Sequence, residues 1–116
     1  ACLGLVGTRR PRVSAATAAA PRLTALLAQY FEGPDGPSDP GFVYTSVQLN
    51  ANYAAKEHVD ANNAGPSYLV ALGDFEGGGL RVEGLERGVR ERWVLFDGRR
   101  PHGVAPFEGG RDSLGY

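Results

Sequence analysis

Residues 56–82 read KEHVDANNAGPSYLVALGDFEGGGLRV. At their centre the short apolar run SYLVAL (67–72) is closed off by NNAGP before it and GDFEGGG after it. Such a run between asparagine, proline and glycine clusters reads as a β-strand. The same pattern extends in both directions. Upstream, FVYTSVQLN (42–50) is rich in β-branched and aromatic residues; downstream, GLRVE, RERWVLF, HGVAPF and RDSLGY follow, cut by DGRRP and EGG. Short strands at these intervals predict an all-β sandwich or barrel from about residue 42 to 116.

The N-terminal third has a different rhythm. In PRLTALLAQYF (21–31) Leu23, Leu26, Leu27, Tyr30 and Phe31 recur at helical spacing, and Pro21 suits a first turn. One amphipathic helix is expected there, with its apolar stripe packed on a sheet. EGPDGPSDPG (32–41) holds three prolines and three glycines and must be a loop. A helix followed by strands predicts a mainly β fold with an N-terminal buttressing helix.

The chain has 116 residues, enough for one modest core, so a single domain over 1–116 is expected. The opening ACLGLVG looks like an interior strand and the chain stops at Tyr116, which reads as a domain trimmed at both ends. A net charge of −1 exerts no general pull on nucleic acid or membrane. Arg87, Arg90, Arg92, Arg99 and Arg100 leave room for a local basic face, but solvated pairs with Glu83, Glu86 and Glu91 are the plainer expectation. One cysteine, Cys2, excludes an internal disulfide and a cysteine-based zinc site, and favours an intracellular setting. No apolar run reaches eighteen residues and no signal peptide is visible, so neither a membrane span nor secretion is expected.

His58-Val59-Asp60 is the chemically interesting part of the opening stretch. If residues 54–60 are extended, positions i and i+2 share a face and both side chains reach one ion. By itself H-x-D is a common pair. The second of the chain's two histidines, His102, is 42 residues beyond Asp60, where the strand after FDGRRP should begin. Two neutral imidazoles and one carboxylate make a 2-His-1-carboxylate triad, which leaves half of an octahedral Fe(II) open. Nine residues further on comes Arg111. If 102–107 and 111–116 form a hairpin, Arg111 returns beside the metal, placed to grip a carboxylate bidentately.

The order H-x-D, a gap of about forty residues, H, then R, on strands after a helix, resembles the double-stranded β-helix core of the Fe(II)/2-oxoglutarate-dependent dioxygenases. SVQLNANY, HVDANNAGPSYLVALGDFEGGGL and RWVLFDGRRPHGVAPFEGGRDSLGY are similar to small oxygenase-like proteins of algae, protists and large viruses, broadly akin to the TET and J-binding-protein group. The resemblance covers residues 42–116 and the helix loosely. It implies a jelly-roll or cupin-like fold, Fe(II) held by His58, Asp60 and His102, 2-oxoglutarate as cosubstrate with Arg111 on its C5 carboxylate, and dioxygen as oxidant. It also implies contacts to cosubstrate or substrate from the strand that carries Asn50, Asn52 and Tyr53. The expected activity is hydroxylation or oxidative demethylation of a small molecule, a protein side chain or a modified base. Nucleic acid stands among the partners the resemblance allows.

Other readings compete. Asn62 and Asn63 suit a turn after Asp60, and Gly77, Gly78 and Gly79 suit positive φ and close backbone approach. A phosphate loop is disfavoured, since no lysine with serine or threonine follows the glycines. Tyr68, Trp93 and Phe96 are expected as core aromatics. Against the oxygenase stand a non-catalytic jelly-roll module that binds metal or a partner, for which Arg111 has no use, and a cupin-type metalloenzyme, which usually carries more histidines and a glutamate ligand.

Overall fold

The computed structural model describes residues 2–6, 12–61, 63 and 65–116. The fold is mainly β, with two helices and antiparallel strand ladders, and among the described residues no sheet closes into a barrel. The chain divides into two compact units: Ala1–Leu49 with Tyr116, and Asn50–Gly115.

In the first unit β1 (Cys2–Val6) pairs antiparallel with both β2 (Arg12–Val13) and β3 (Ser46–Ala51). The register sets Leu3 opposite Val47, and both are buried. The expected interior strand at ACLGLVG is therefore present. Two helices replace the single one read from sequence. Ser14 caps α1 (Ala15–Ala19), its Oγ accepting from Thr17 N at 3.1 Å. At Ala20 the backbone leaves the helical region (φ −138°, ψ 64°), and α2 (Pro21–Glu32) restarts on Pro21. Proline disfavours the α conformation in the residue before it, which explains a break in an otherwise helix-forming alanine run. The apolar stripe of α2 is not buried as expected: Leu23 and Leu26 are exposed, and Phe31 alone is buried among the helix residues. Phe31 anchors the helix in an aromatic cluster with Phe42, Tyr44 and Tyr116, and the Tyr116 hydroxyl donates to Leu27 O at 2.6 Å.

The second unit is built on three groups of antiparallel strands, joined by five ladders. β4 (Ser67–Leu72), the SYLVAL strand, pairs on one side with β8 (Val94–Phe96) and on the other with β11 (Asp112–Gly115), each antiparallel. β5 (Phe75–Gly77) pairs with β10 (Phe107–Gly109). β6 (Leu80–Val82) lies between β7 (Leu85–Arg87) and β9 (His102–Val104). The core is Ala71, Phe75, Leu80, Val89 and Val94, with Leu69, Val82, Phe96 and Phe107 packed on it. Phe96 thus joins the core as expected, whereas Tyr68 and Trp93 are only half-buried and meet edge to face, their centroids 6.3 Å apart.

Two expectations about strand pairing are corrected. HGVAPF is not one strand: it breaks at Ala105-Pro106, since proline donates no ladder hydrogen bond, into β9 and β10 on different partners. The segments 102–107 and 111–116 consequently do not form a hairpin; β9 runs with β6 and β11 with β4. Residues 54–57 are not a strand either, so His58 is positioned by another means.

Candidate metal centre

That means is an isolated antiparallel bridge. His58 N donates to His102 O at 2.8 Å and His102 N donates to His58 O at 2.9 Å, which brings the two imidazoles within 4.3 Å, centroid to centroid. Two residues on, Asp60 N donates to Gly98 O at 2.7 Å, so the i, i+2 placement of His58 and Asp60 holds without a regular strand. The Asp60 carboxylate lies between the rings: Oδ1 is 3.7 Å from His58 Nε2 and Oδ2 is 3.3 Å from His102 Nε2. One ligand atom from each of the three falls within 4.8 Å of the others, a spacing that suits a single ion.

The ring orientations fit metal ligation. His58 Nδ1 is 2.7 Å from Lys56 O, and His102 Nδ1 is 2.8 Å from Arg100 O. A carbonyl accepts only, so each Nδ1 carries a proton and, in the neutral ring, each Nε2 presents a lone pair toward Asp60. Carbonyl-oriented imidazoles of this kind are the usual support for histidine ligands. His102 is buried against Phe96 (centroids 5.1 Å apart), while the His58 and Asp60 side chains remain 44% and 45% exposed, so the centre has one closed side and one open to solvent.

The turn Asp97–Arg100 organises this group, and sequence reasoning had passed over it as a mere separator. Arg100 N closes the turn on Asp97 O at 3.1 Å; Gly98 O receives the Asp60 amide and Arg100 O receives the His102 ring. Arg99 donates to the Asp97 carboxylate from its guanidinium (3.0 Å) and its backbone (3.0 Å), and these bonds, the guanidinium first, hold the Asp97 carboxyl below the usual range. Glycine at 98 lets the turn approach the site closely: a Cβ would lie 2.6 Å from Asn63 Nδ2 and 3.3 Å from Asp60 Oδ2, and both side chains would have to shift to admit it. Asn63 N donates to Asp60 O at 3.2 Å, consistent with the expected turn; Asn62 lies outside the described residues.

Arg111 reaches its place by a route other than the expected hairpin. It is the largest fully buried side chain, 1% exposed, and its guanidinium carbon lies 5.5 Å from the Phe75 centroid and 5.6 Å from that of Phe107. Among the described residues its Nε and Nη2 have no hydrogen-bond partner. Burial alone pushes its pKa down, with no carboxylate to oppose the shift. Gly78 makes the room: its φ of +68° is left-handed, and a Cβ there would lie 2.9 Å from Arg111 Nε and 3.1 Å from Phe107 Cβ. Gly77 is likewise left-handed (φ +77°), whereas Gly79 has no positive φ and serves close approach only, against Glu86. Gly78 leads into β6, whose Val82 is paired with His102, so one short stretch touches both Arg111 and the strand that carries His102.

Asn52 sits at φ +52° and clamps the Arg111 backbone: its N–H donates to Arg111 O at 2.6 Å and its Oδ1 accepts from Arg111 N at 2.8 Å. Tyr53 is exposed. Of the clustered arginines, Arg100 pairs with Glu83 (2.9 Å) as expected, whereas Arg99 pairs with Asp97 and Arg90 with Asp74 (3.4 Å), and Glu86 pairs with Arg81 outside the cluster. No family model matches the chain, and no curated protein matches it either.

Proposed function

We propose that the chain is a non-haem Fe(II)- and 2-oxoglutarate-dependent dioxygenase domain on a double-stranded β-helix scaffold. It would hydroxylate or oxidatively demethylate a substrate such as a modified nucleobase or a protein side chain. The observation that carries this reading is the pairing of two features: a His58/Asp60/His102 group with both Nε2 atoms turned to one carboxylate, and a buried arginine whose Nε and Nη2 find no partner. A buried cation without a counterion costs several kcal/mol, and an anionic ligand would offset that cost.

In this reading His58, Asp60 and His102 would hold Fe(II), and Arg111 would pair with the distal carboxylate of 2-oxoglutarate. When bound, iron and 2-oxoglutarate would supply the oxidative chemistry. The chain's own contribution is positional. Lys56 O and Arg100 O fix the imidazoles, Asn52 fixes the Arg111 backbone, and Phe75 and Phe107 keep water from the guanidinium. The exposed edge formed by His58 and Asp60 is the side open to a substrate. No helix among the described residues is long and apolar enough to cross a membrane.

The test is uncoupled turnover of 2-oxoglutarate to succinate by the purified iron-loaded protein, which requires no knowledge of the prime substrate. Anaerobic Fe(II) with 2-oxoglutarate is expected to give a weak visible charge-transfer band that His58→Ala or Asp60→Ala abolishes. Neither band nor succinate from intact, iron-loaded protein would reject the oxygenase. Metal binding with no response to 2-oxoglutarate would leave the alternative, a non-catalytic metal-binding or interaction module of jelly-roll type.

A further inference from the structure

The first unit holds a cavity of about 320 Å³ that plays no part in the proposed reaction, lined by residues of the α2 C-terminus and the loop after it. Three aromatic rings form its apolar wall. Phe31 lies 5.6 Å from Phe42 and 5.1 Å from Tyr44, centroid to centroid, with the ring planes inclined at 38° and 59°. Phe42 and Tyr44 are half-buried, so these rings keep part of their surface open. Glu32 and Asp39 are among the residues that line it, and no basic residue is among the described ones that do.

The helix end adds to the same sign of potential. α2 finishes at Glu32 with no basic residue in its last turn, and Gly33, which lines the cavity, stands next to the carbonyls of Gln29 and Tyr30. The C-terminal end of a helix carries about half a negative charge. Glu32 also helps raise the pKa of the Tyr44 hydroxyl, after burial, so its charge is felt at the aromatic wall. The aromatic wall, Glu32 and the helix end all favour a cation. The apolar wall disfavours a strongly hydrated one, because rings cannot replace a metal ion's water ligands.

We propose that the cavity lined by Phe31, Phe42, Tyr44, Glu32 and Asp39 binds a methylated ammonium group, on a small free molecule or on a methylated lysine side chain. Methyl groups spread the positive charge over an apolar surface that stacks on rings, the basis of aromatic-cage recognition. The volume lies at the small end for ligand sites, which suits a head group rather than a large molecule.

Calorimetric titration of the full chain with tetramethylammonium, choline and an acetylated trimethyllysine amide is the test, with 3,3-dimethylbutanol as the neutral isostere of choline. Saturable binding of tetramethylammonium, and choline at least about tenfold tighter than its isostere, are expected. The trimethyllysine arm separates the two sources: tighter binding than choline assigns the site to a modified side chain, and weaker binding to a free molecule. Glu32→Gln, at an exposed position, and Phe42→Leu should each weaken choline by about threefold or more while the thermal transition persists. No saturable tetramethylammonium binding, equal binding of the isostere, or unchanged affinity in E32Q overturns the proposal.

Discussion

Asn52 and Arg111, 59 residues apart, hold one another through two backbone-directed hydrogen bonds, Asn52 N–H to Arg111 O and Arg111 N–H to Asn52 Oδ1. Asparagine serves both needs at this position, since it tolerates φ +52° and its side-chain oxygen reaches the amide. Asn52→Ala removes the acceptor and strains the backbone, so a loss of about 1–3 kcal/mol is expected in urea unfolding. Asn52→Gly should recover the backbone part alone. In both variants 2-oxoglutarate should bind more weakly while metal affinity is retained; equal loss of both would show that Asn52 supports the whole centre rather than Arg111.

Replacing the buried arginine should separate stability from ligand binding. Arg111→Met keeps most of the volume and removes a charge for which Nε and Nη2 have no partner, so thermal stability in the absence of ligand should stay level or rise. Binding of 2-oxoglutarate should fall by at least about tenfold, as expected for a lost charge-assisted bidentate contact. A sharp loss of stability in R111M would mean that the guanidinium has a structural partner.

Metal binding should stabilise the fold through the triad. A divalent metal at 100 times its dissociation constant is expected to add about 2.7 kcal/mol, reversed by chelator. His58→Ala and Asp60→Ala should abolish that increment at little cost to the apo protein, because both side chains are nearly half exposed. His102→Ala should also lower apo stability, since the ring is buried against Phe96. Acidification should weaken metal binding, because imidazole ligands must be neutral and protons compete for them. Metal stabilisation that persists in D60A would place the ion elsewhere.

Gly98→Ala tests the Asp97–Arg100 turn. The added Cβ would lie against the Asn63 amide and the Asp60 carboxylate, both ends of side chains that can shift, so global stability should change by less than about 1 kcal/mol. Metal affinity should fall about tenfold or more, as is typical when the groups that orient a ligand are disturbed. Unchanged affinity would mean that Asp60 is free to relax without loss of ligand geometry.

The first unit should lose stability at high pH. Tyr44 and Tyr116 both titrate above the ordinary phenol range, chiefly because burial disfavours the phenolate; Glu32 adds to this for Tyr44, and Tyr44 for Tyr116. A folded-state pKa raised above the unfolded value gives stability that is fully present below about pH 10 and lost as pH climbs through the folded values. Part of the near-ultraviolet phenolate absorbance should therefore appear only well above the ordinary phenol range, and Tyr116→Phe should remove some of that late amplitude; a late amplitude unchanged in Y116F would contradict the burial.

Much of this was legible locally. The turn-bounded run SYLVAL coincides with β4, the helix expected over 21–31 is α2, and His102 opens a strand after DGRRP. The spacing of His58 and Asp60 already carried a shared face. Each depends on residues a few positions apart, whose backbone preferences and side-chain alternation are written in the chain itself. Pairing is different, because it is decided by which surfaces bury each other and which amides find carbonyls. Only the tertiary structure shows that β9 and β11 run in separate ladders, that a bridge between His58 and His102 replaces the expected strand, and that Asn52 rather than a hairpin places Arg111. The chemical identities were thus present in the sequence; their convergence was set by contacts between distant segments, where burial and hydrogen-bond satisfaction outweigh local propensity.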